Sequence, residues 1–133
     1  MKKILIIEDE ETIRNELKTL LENFGYKVLM LEKFTNAKED IKSMTLDLIL
    51  LDINLPNING EMLLKEIRKE SNIPVIMVTS RVCEVDEVLS MSYGADDYIT
   101  KPYNPTILLL RIQNIFKRME NNRDDLFLSL IHI

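Results

Sequence analysis

The stretch Asp47-Leu48-Ile49-Leu50-Leu51-Asp52 constrains the fold more than any other part of the sequence. Its four central residues are bulky and apolar, and turn-forming residues follow it. Such a run predicts a strand buried on both faces of a parallel sheet. Because ligands collect beyond the carboxyl ends of strands in open parallel sheets, Asp52 is then displayed to a site. A strand-end aspartate taken alone is more often only a solvated or turn-forming residue. A functional role for Asp52 therefore depends on the residues that the rest of the chain brings to it.

Strand and helix patterns alternate along the rest of the chain. Short apolar runs predict strands at 2–7, 26–31, 47–52, 74–79 and 97–100. Apolar residues at a spacing of three to four predict helices at 12–24, 35–44, 61–69, 84–92 and 105–119, with Met62, Leu63 and Ile67 facing inward in the third. This alternation predicts an α/β fold with right-handed parallel crossovers. We expect a flavodoxin-like, doubly wound, five-stranded parallel sheet in the order 2-1-3-4-5, covered by five helices.

Size, charge and cysteine content exclude several classes of protein. The 133 residues match one ordinary domain, and the net charge of −5 disfavours a nucleic-acid-binding surface. The single cysteine excludes an internal disulfide, and the first apolar stretch ends at Glu8, too early for a signal peptide. We therefore expect a cytoplasmic protein without a membrane segment. Residues 1–120 are predicted to form the domain, and residues 121–133 a linker and tail, either the opening strand of an output domain or a cloning remnant.

The predicted strand order brings reactive side chains to one edge of the sheet. Glu8, Asp9, Asp52, Thr79 and Lys101 all lie at carboxyl ends of strands. Clustered carboxylates repel one another unless a cation lies among them, and a few oxygen ligands favour Mg²⁺. A carboxylate can attack phosphorus to give an aspartyl phosphate, while a lysine and a hydroxyl bind the transferred group. The cluster therefore predicts phosphoryl transfer.

Four motifs carry a family resemblance. They are Glu8-Asp9, Leu51-Asp52-Ile53-Asn54-Leu55-Pro56 with Gly60, Val78-Thr79-Ser80, and Gly94-Ala95-Asp96-Asp97-Tyr98-Ile99-Thr100-Lys101-Pro102. Over residues 1 to about 120, the sequence resembles the receiver (CheY-like) domain of bacterial two-component response regulators, of the winged-helix (OmpR/PhoB-type) subfamily. Each motif is weak alone, but the four stand in order at the family's spacing. The acidic pair is Glu-Asp where the family more commonly has Asp-Asp.

The resemblance implies a role for each residue of the cluster. Asp52 accepts a phosphoryl group from a phosphohistidine of a sensor histidine kinase. Mg²⁺ is held by Asp9, Asp52 and the backbone carbonyl of Asn54, and by Glu8 through water. Such a domain is a signalling phosphoacceptor that assists its own Mg²⁺-dependent phosphorylation and dephosphorylation, and not an enzyme acting on a separate substrate.

The resemblance also implies a switch. Thr79 moves towards the phosphoryl group, and the ring of Tyr98 turns into the space that is vacated. The Lys101-Pro102 peptide is expected to be cis, which aims the lysine at the site.

An output surface is implied as well. In winged-helix regulators the fourth helix, fifth strand and last helix form a two-fold dimer, and DNA is bound through an output domain that this chain does not contain. Acids matching Asp96 and Asp97 then pair with bases matching Arg111 and Arg118, each pair occurring twice. The sequence departs from this pattern at Glu87 and Ile107, where the subfamily has a basic residue and an acid.

Other readings of the sequence remain open or are excluded by single positions. A receiver-like module that binds partners without phosphorylation stays open. A haloacid dehalogenase-type phosphatase requires a second aspartate two residues after the nucleophile, and Asn54 stands there. A dinucleotide-binding enzyme is excluded because no glycine-rich loop follows the first strand. Cys83 and His132 receive no function.

Overall fold

A computed structural model describes residues 1–31, 33–56, 58–80, 88 and 90–131, with side chains described as far as residue 120. Cys83, Glu87 and His132 lie outside these ranges, as does most of the helix predicted at 84–92. The chain divides into two compact units, Met1–Tyr103 and Asn104–Ile133.

The first unit is built on the predicted parallel sheet. Its strands are β1 (Lys3–Ile7), β2 (Lys27–Met30), β3 (Leu48–Leu51), β4 (Val75–Thr79) and β5 (Asp97–Thr100), in the order 2-1-3-4-5. Every neighbouring pair is parallel, so all five carboxyl ends reach the same edge. The predicted fold class and strand order are confirmed.

Helices connect the strands. They are α1 (Glu11–Asn23), α2 (Ala37–Lys42) and α3 (Gly60–Arg68), and residues 88 and 90–92 are the described part of α4. A short antiparallel hairpin, Asn54–Leu55 with Ile58–Asn59, lies between β3 and α3. Gly25 follows α1 with a φ of +89°, a conformation that favours glycine.

The core of the first unit lies between the sheet and its helices. All four residues of β3 are buried, which explains its unbroken apolar sequence. Residues of one face of β1 and β3 pack with residues of α2, α3 and the hairpin in a continuous cluster that includes Leu5, Ile7, Ile49, Leu51, Ile41, Leu55, Leu64 and Ile67. Burial of this apolar surface fixes the strand ends that carry the polar site.

One predicted core residue was wrong. Met62 is 55% exposed, whereas Leu63, Leu64 and Ile67 are buried. The large apolar residues that are buried in α3 form a stripe at positions i, i+1 and i+4, and Met62 lies outside it. The helix begins at Gly60, with the Asn59 side chain accepting hydrogen bonds from the backbone N–H groups of Glu61 (2.8 Å) and Met62 (3.3 Å).

The second unit is one long helix, α5 (Pro105–Ile131). Its end was predicted at residue 119, and that prediction was wrong, because residues 120–131 continue the helix. No glycine or proline interrupts this segment, so its polar composition alone does not end a helix. The domain division at residue 120 stays a prediction.

The amino-terminal half of α5 has distinct buried and exposed residues. The Asn104 side chain caps its first turn by accepting from the N–H of Thr106 at 2.8 Å. The buried residues are Leu108, Leu109, Ile112, Ile115 and Phe116. Ile107 and Leu110, by contrast, are 48% and 52% exposed. Among the described residues, no helix combines the length and apolar character needed to cross a membrane.

Candidate functional site

The site lies at the carboxyl edge of the sheet, where β1 and β3 end side by side. Glu8 follows β1 and Asp52 follows β3, and the Asp52 N–H donates to the Ile7 carbonyl at 3.1 Å. Both acids are buried, at 4% and 5% exposure, whereas the neighbouring Asp9 is exposed. Charged groups are rarely buried to this extent without a partner, so the partner of each carboxylate has to be identified.

Lys101 is the common partner of the two buried acids. Its ammonium group donates to Oδ2 of Asp52 at 3.1 Å and to Oε1 of Glu8. The lysine is itself 11% exposed. Its backbone N–H donates to the Thr79 carbonyl at 2.7 Å, which fixes the chain beyond β5 against the end of β4. The Lys101-Pro102 peptide is cis, the conformation that the resemblance implied.

The remaining carboxylate oxygens accept from the backbone. Oδ1 of Asp52 accepts from the N–H of Asn54 at 3.0 Å, and Oε2 of Glu8 accepts from the N–H of Glu10 at 3.4 Å. Arg14 of α1 donates to the Glu8 carbonyl at 3.0 Å and so holds the corner between β1 and α1. These contacts order the acids before any ligand arrives.

Burial and mutual charge shift the pKa values of the cluster. Burial raises the pKa of Glu8 from 4.5 to about 7, with Asp52 adding to the rise and Lys101 opposing it. Burial opposes the charged form of Lys101, but its hydrogen bonds to Glu8 and Asp52 outweigh that effect and raise its pKa. Burial also raises the pKa of the Tyr103 phenol, with Glu8 and Glu16 adding to the rise. Lys101 is therefore a stable cation at neutral pH, while Glu8 is divided between its two forms.

The acidic residues also fit a divalent cation. Glu8, Asp9 and Asp52 each offer a carboxylate oxygen, and these oxygens lie within 4.8 Å of one another. Carboxylate oxygens are hard ligands, and three protein ligands leave room for the waters that Mg²⁺ retains. The exposure of Asp9 gives such an ion a way in from solvent. The donor set therefore fits Mg²⁺.

The two predicted switch residues are both buried. Thr79 ends β4 with no exposed surface, and its Oγ1 accepts from the side-chain amide of Asn54 at 3.5 Å. Tyr98 is 7% exposed and belongs to the core cluster. It pairs in register with Met77 of β4, two residues before Thr79. The hydroxyl and the ring thus belong to neighbouring strands, and their coupled movement stays a prediction.

Gly60 lies directly against the backbone of Asp52. A Cβ atom at Gly60 would lie 2.2 Å from the carbonyl oxygen of Asp52 and 2.7 Å from Cα of Ile53. The Gly60 N–H also donates to the Ile53 carbonyl at 3.0 Å. The start of α3 is therefore in close contact with the backbone of Asp52, and only glycine fits there.

The residues predicted for a dimer lie in different units. Asp96 and Asp97 are in the first unit, and Arg111 and Arg118 are on α5 in the second. Asp96 pairs with Arg68 at 3.0 Å inside the first unit, a contact that the sequence did not suggest. Pairing between these acids and bases across a dimer stays a prediction.

Sequence reasoning missed three contacts around the site. They are Arg14 on the Glu8 carbonyl, the Asn54 amide on Thr79, and Gly60 against Asp52. Of these three contacts, only the one made by Arg14 could have been found from a local sequence pattern. Arg14 follows Glu8 by six residues and lies in the first turns of α1, close to the end of β1. The other two depend on how the loop after β3 closes.

Comparison with known families agrees with this geometry. Residues 4–113 match the response regulator receiver domain family. The chain belongs to that family. The matched range covers most of this chain of 133 residues. It contains all residues of the polar cluster, which are Glu8, Asp9, Asp52, Thr79 and Lys101.

Curated relatives of this receiver domain are regulators of about twice its length. The aerobic respiration control protein ArcA of Escherichia coli (strain K12) is 41% identical over 118 residues, which are 89% of this chain and 50% of that protein. The sensory transduction protein RegX3 of Mycolicibacterium smegmatis is 38% identical over 124 residues, which are 93% of this chain and 54% of that protein. These relatives are of the OmpR/PhoB type.

Solved receiver structures share the fold over nearly their whole length. A two-component response regulator from Clostridium difficile superimposes with a TM-score of 0.85 at 32% identity, covering 90% of this chain and 98% of that one. The BeF3-activated N-terminal receiver domain of Klebsiella pneumoniae RstA superimposes with a TM-score of 0.80 at 31% identity. The match covers 84% of this chain and 96% of that one. The receiver fold is thus shown both by its topology and by these likenesses.

Proposed function

We propose that Asp52 is the phosphoacceptor of this receiver domain and that a sensor histidine kinase is the donor. One observation carries the proposal. The Asp52 carboxylate is buried, pairs with Lys101 at 3.1 Å, and shares a cluster with Glu8 and Asp9. A buried aspartate held by a lysine beside two further acids is arranged for nucleophilic attack under charge compensation.

The transfer is a displacement at phosphorus. An Asp52 oxygen forms a bond to the phosphorus atom of a phosphohistidine, the P–N bond breaks, and its electron pair returns to the imidazole nitrogen. Asp9, Asp52 and the Asn54 carbonyl, with Glu8 acting through water, would hold Mg²⁺, and the bound ion would neutralise charge on the phosphoryl group. The Asn54 N–H and Lys101 hold the carboxylate in place during the attack.

The side chains around Asp52 then bind the product. Once Asp52 becomes an acyl phosphate it loses its own negative charge, so the Lys101 ammonium turns to the phosphoryl oxygens. The Thr79 hydroxyl donates another hydrogen bond, and Tyr98 turns into the space that Thr79 leaves. A local change of charge in this way biases an element with two arrangements.

The output of the switch is proposed to be a dimer that acts through a separate domain. The chain spans about half the length of the curated relatives it matches, which supports an output domain in the whole protein. Asp97 and Asp96 would pair with Arg111 and Arg118 of a second copy. Ile107 stands where the winged-helix subfamily has an acid, and its side chain is 48% exposed. Part of this dimer contact would therefore be apolar and not ionic.

Phosphorylation is tested by intact mass spectrometry after incubation with acetyl phosphate and Mg²⁺. We expect one phosphoryl adduct on the wild type, none on Asp52→Asn, and an unchanged adduct on the control Asp40→Asn, which removes an acid on α2. Omission of Mg²⁺ should abolish the adduct. If the wild type gave no adduct under conditions where an established receiver reacts, the phosphorylation-independent binding module would be favoured.

The phosphatase alternative is disfavoured by one side chain. Asn54 stands two residues after Asp52, and its amide donates to Thr79 at 3.5 Å. An amide cannot exchange a proton as a general acid or base at neutral pH. We therefore expect no release of phosphate from added monoesters in a colorimetric assay.

A further inference from the structure

Arg68, the last residue of α3, joins this helix to two other segments of the first unit, the loop at Ile73 and the turn that contains Gly94 and Asp96. Its Nε donates to the Gly94 carbonyl at 2.8 Å, one terminal nitrogen donates to the Ile73 carbonyl at 2.6 Å, and the other donates to Oδ2 of Asp96 at 3.0 Å. The side chain is 18% exposed. A planar guanidinium can satisfy several acceptors in fixed directions, which an ammonium group cannot do.

The acceptors of Arg68 are themselves fixed. Oδ2 of Asp96 also accepts from the Val75 N–H at 2.8 Å, which ties the carboxylate to the start of β4. Gly94 has a φ of +103°, and a Cβ atom there would lie 2.9 Å from Nε of Arg68. Burial lowers the pKa of Arg68, and Asp96 opposes that shift. The turn before β5 is therefore shaped around the guanidinium.

A second cation on α3 contacts the same turn. The ammonium group of Lys65 lies 4.7 Å from the centre of the Tyr93 ring, a cation–π contact one helical turn before Arg68. We use the name α3 clamp for Lys65 and Arg68 together with Tyr93, Gly94 and Asp96. The clamp attaches the carboxyl end of α3 to the turn that precedes β5.

The other end of α3 touches the phosphoacceptor. Gly60 leaves no room for a Cβ atom beside the Asp52 carbonyl, and the Asn54 N–H donates to the Asp52 side chain at 3.0 Å. Between these ends the helix has nine residues, a length of about 13 Å. Leu64 and Ile67 are buried in the core between these ends, so we expect the packed helix to transmit a displacement as a rigid element.

We propose that α3 connects the phosphorylation state of Asp52 to the position of Asp96, and that the α3 clamp is the output end of this connection. Acyl phosphate formation removes the carboxylate charge, which weakens the hydrogen bond from Asn54 and releases the loop that begins α3. Displacement of Gly60 then moves the helix, and the clamp moves Asp96 and the start of β5. The inference rests on the proposed function, since Asp96 is one of the acids assigned to the dimer.

The connection is tested by the coupling between activation and dimerisation. Sedimentation equilibrium gives the dimer dissociation constant with Mg²⁺ alone and with Mg²⁺ plus beryllofluoride, and the ratio of the two constants is the coupling. Arg68→Lys keeps the charge but loses the fixed geometry, so we expect the coupling to fall by about 2- to 30-fold. Lys69→Met, which removes an exposed lysine beside Arg68, is the matched control and should keep the wild-type ratio.

Separate measurements distinguish a structural effect from loss of coupling. Thermal unfolding and the acetyl phosphate adduct show whether Arg68→Lys folds and retains a working site. If it does not fold, Lys65→Met and Tyr93→Leu, which break the other contact of the clamp, replace it. A lowered melting temperature with an unchanged coupling ratio would overturn the inference. A wild type that takes up the phosphoryl group without tighter dimerisation would instead refute the proposed output, whatever the clamp variants do.

Discussion

Gly60→Ala is the substitution for which the structure gives the clearest expectation. The added Cβ atom would lie 2.2 Å from the Asp52 carbonyl oxygen and 2.7 Å from Cα of Ile53, both of them backbone atoms. Backbone cannot rotate away as a side chain can, so the loop after β3 or the start of α3 has to shift. Inserting a methyl group into a filled space costs about 1–3 kcal/mol. Alanine recovers less than about 1 kcal/mol of helix propensity, since the residue is the first of its helix. We expect the free energy of unfolding to fall by about 2 kcal/mol.

Gly25→Ala is the matched control for this experiment. Nothing lies within 4 Å of a Cβ atom there, but its φ of +89° is strained for any other residue. A left-handed conformation costs alanine about 1–2 kcal/mol without disturbing the site. Urea denaturation followed by circular dichroism measures both variants, and the rate of acetyl phosphate labelling is measured alongside. Only Gly60→Ala should slow labelling. Unchanged stability and labelling in Gly60→Ala would refute the argument that α3 is in contact with the Asp52 backbone.

Three further predictions concern stability. Glu8 has a pKa of about 7 in the folded protein against 4.5 when unfolded, so the folded state binds the extra proton between these values. Without Mg²⁺, stability should therefore fall by about 1–3 kcal/mol as the pH rises from 4.5 to 7, and Glu8→Gln should remove most of this slope in urea denaturation at several pH values. Asn59→Ala removes the cap of α3 and should lower the unfolding free energy by about 1 kcal/mol, measured by urea denaturation. Asp96→Ala leaves the Val75 N–H and Arg68 without their carboxylate acceptor. It should lower the free energy of unfolding by about 1–3 kcal/mol, measured by thermal and urea unfolding.

Each of these predictions has an internal comparison. Asn36 precedes α2 but makes no side-chain capping hydrogen bond, so Asn36→Ala should change stability less than Asn59→Ala does. Asp40→Ala removes an acid from α2 and serves as the comparison for Asp96→Ala. A pH slope that survives in Glu8→Gln would mean that another group takes up the proton.

The sequence predicted the sheet well because its three inner strands, β1, β3 and β4, are almost entirely buried. The unbroken apolar run of β3 has no helical periodicity, and the charged residues at its ends mark where it leaves the core. The carboxyl-edge cluster followed from the strand order, which brings Lys101 to Asp52 although 49 residues separate them. The roles assigned to the cluster came from the family motifs, not from the apolar pattern.

What the sequence did not predict depends on three-dimensional contact or on helix continuation. Met62 was placed inward because it is apolar, whereas packing around Leu64 and Ile67 decides which side of α3 is buried. The end of α5 was misplaced because a polar composition was taken as the end of a helix. The pair of Arg68 and Asp96 joins residues 28 positions apart and is specified by the shape of the turn at Gly94, which no local pattern encodes.

The position of Lys101 near the end of the sheet has a consequence for synthesis. Lys101 contacts Glu8 across 93 positions of sequence, and β5, which precedes it, is an outer strand of the sheet. A nascent chain on the ribosome presents Glu8 and Asp52 long before the lysine has been translated. Contacts between residues so far apart form late in folding, because a long loop has to close first. We therefore expect Asp52, the proposed phosphoacceptor, to gain its lysine partner only on a chain whose sheet is complete, so that incomplete chains would not accept the phosphoryl group.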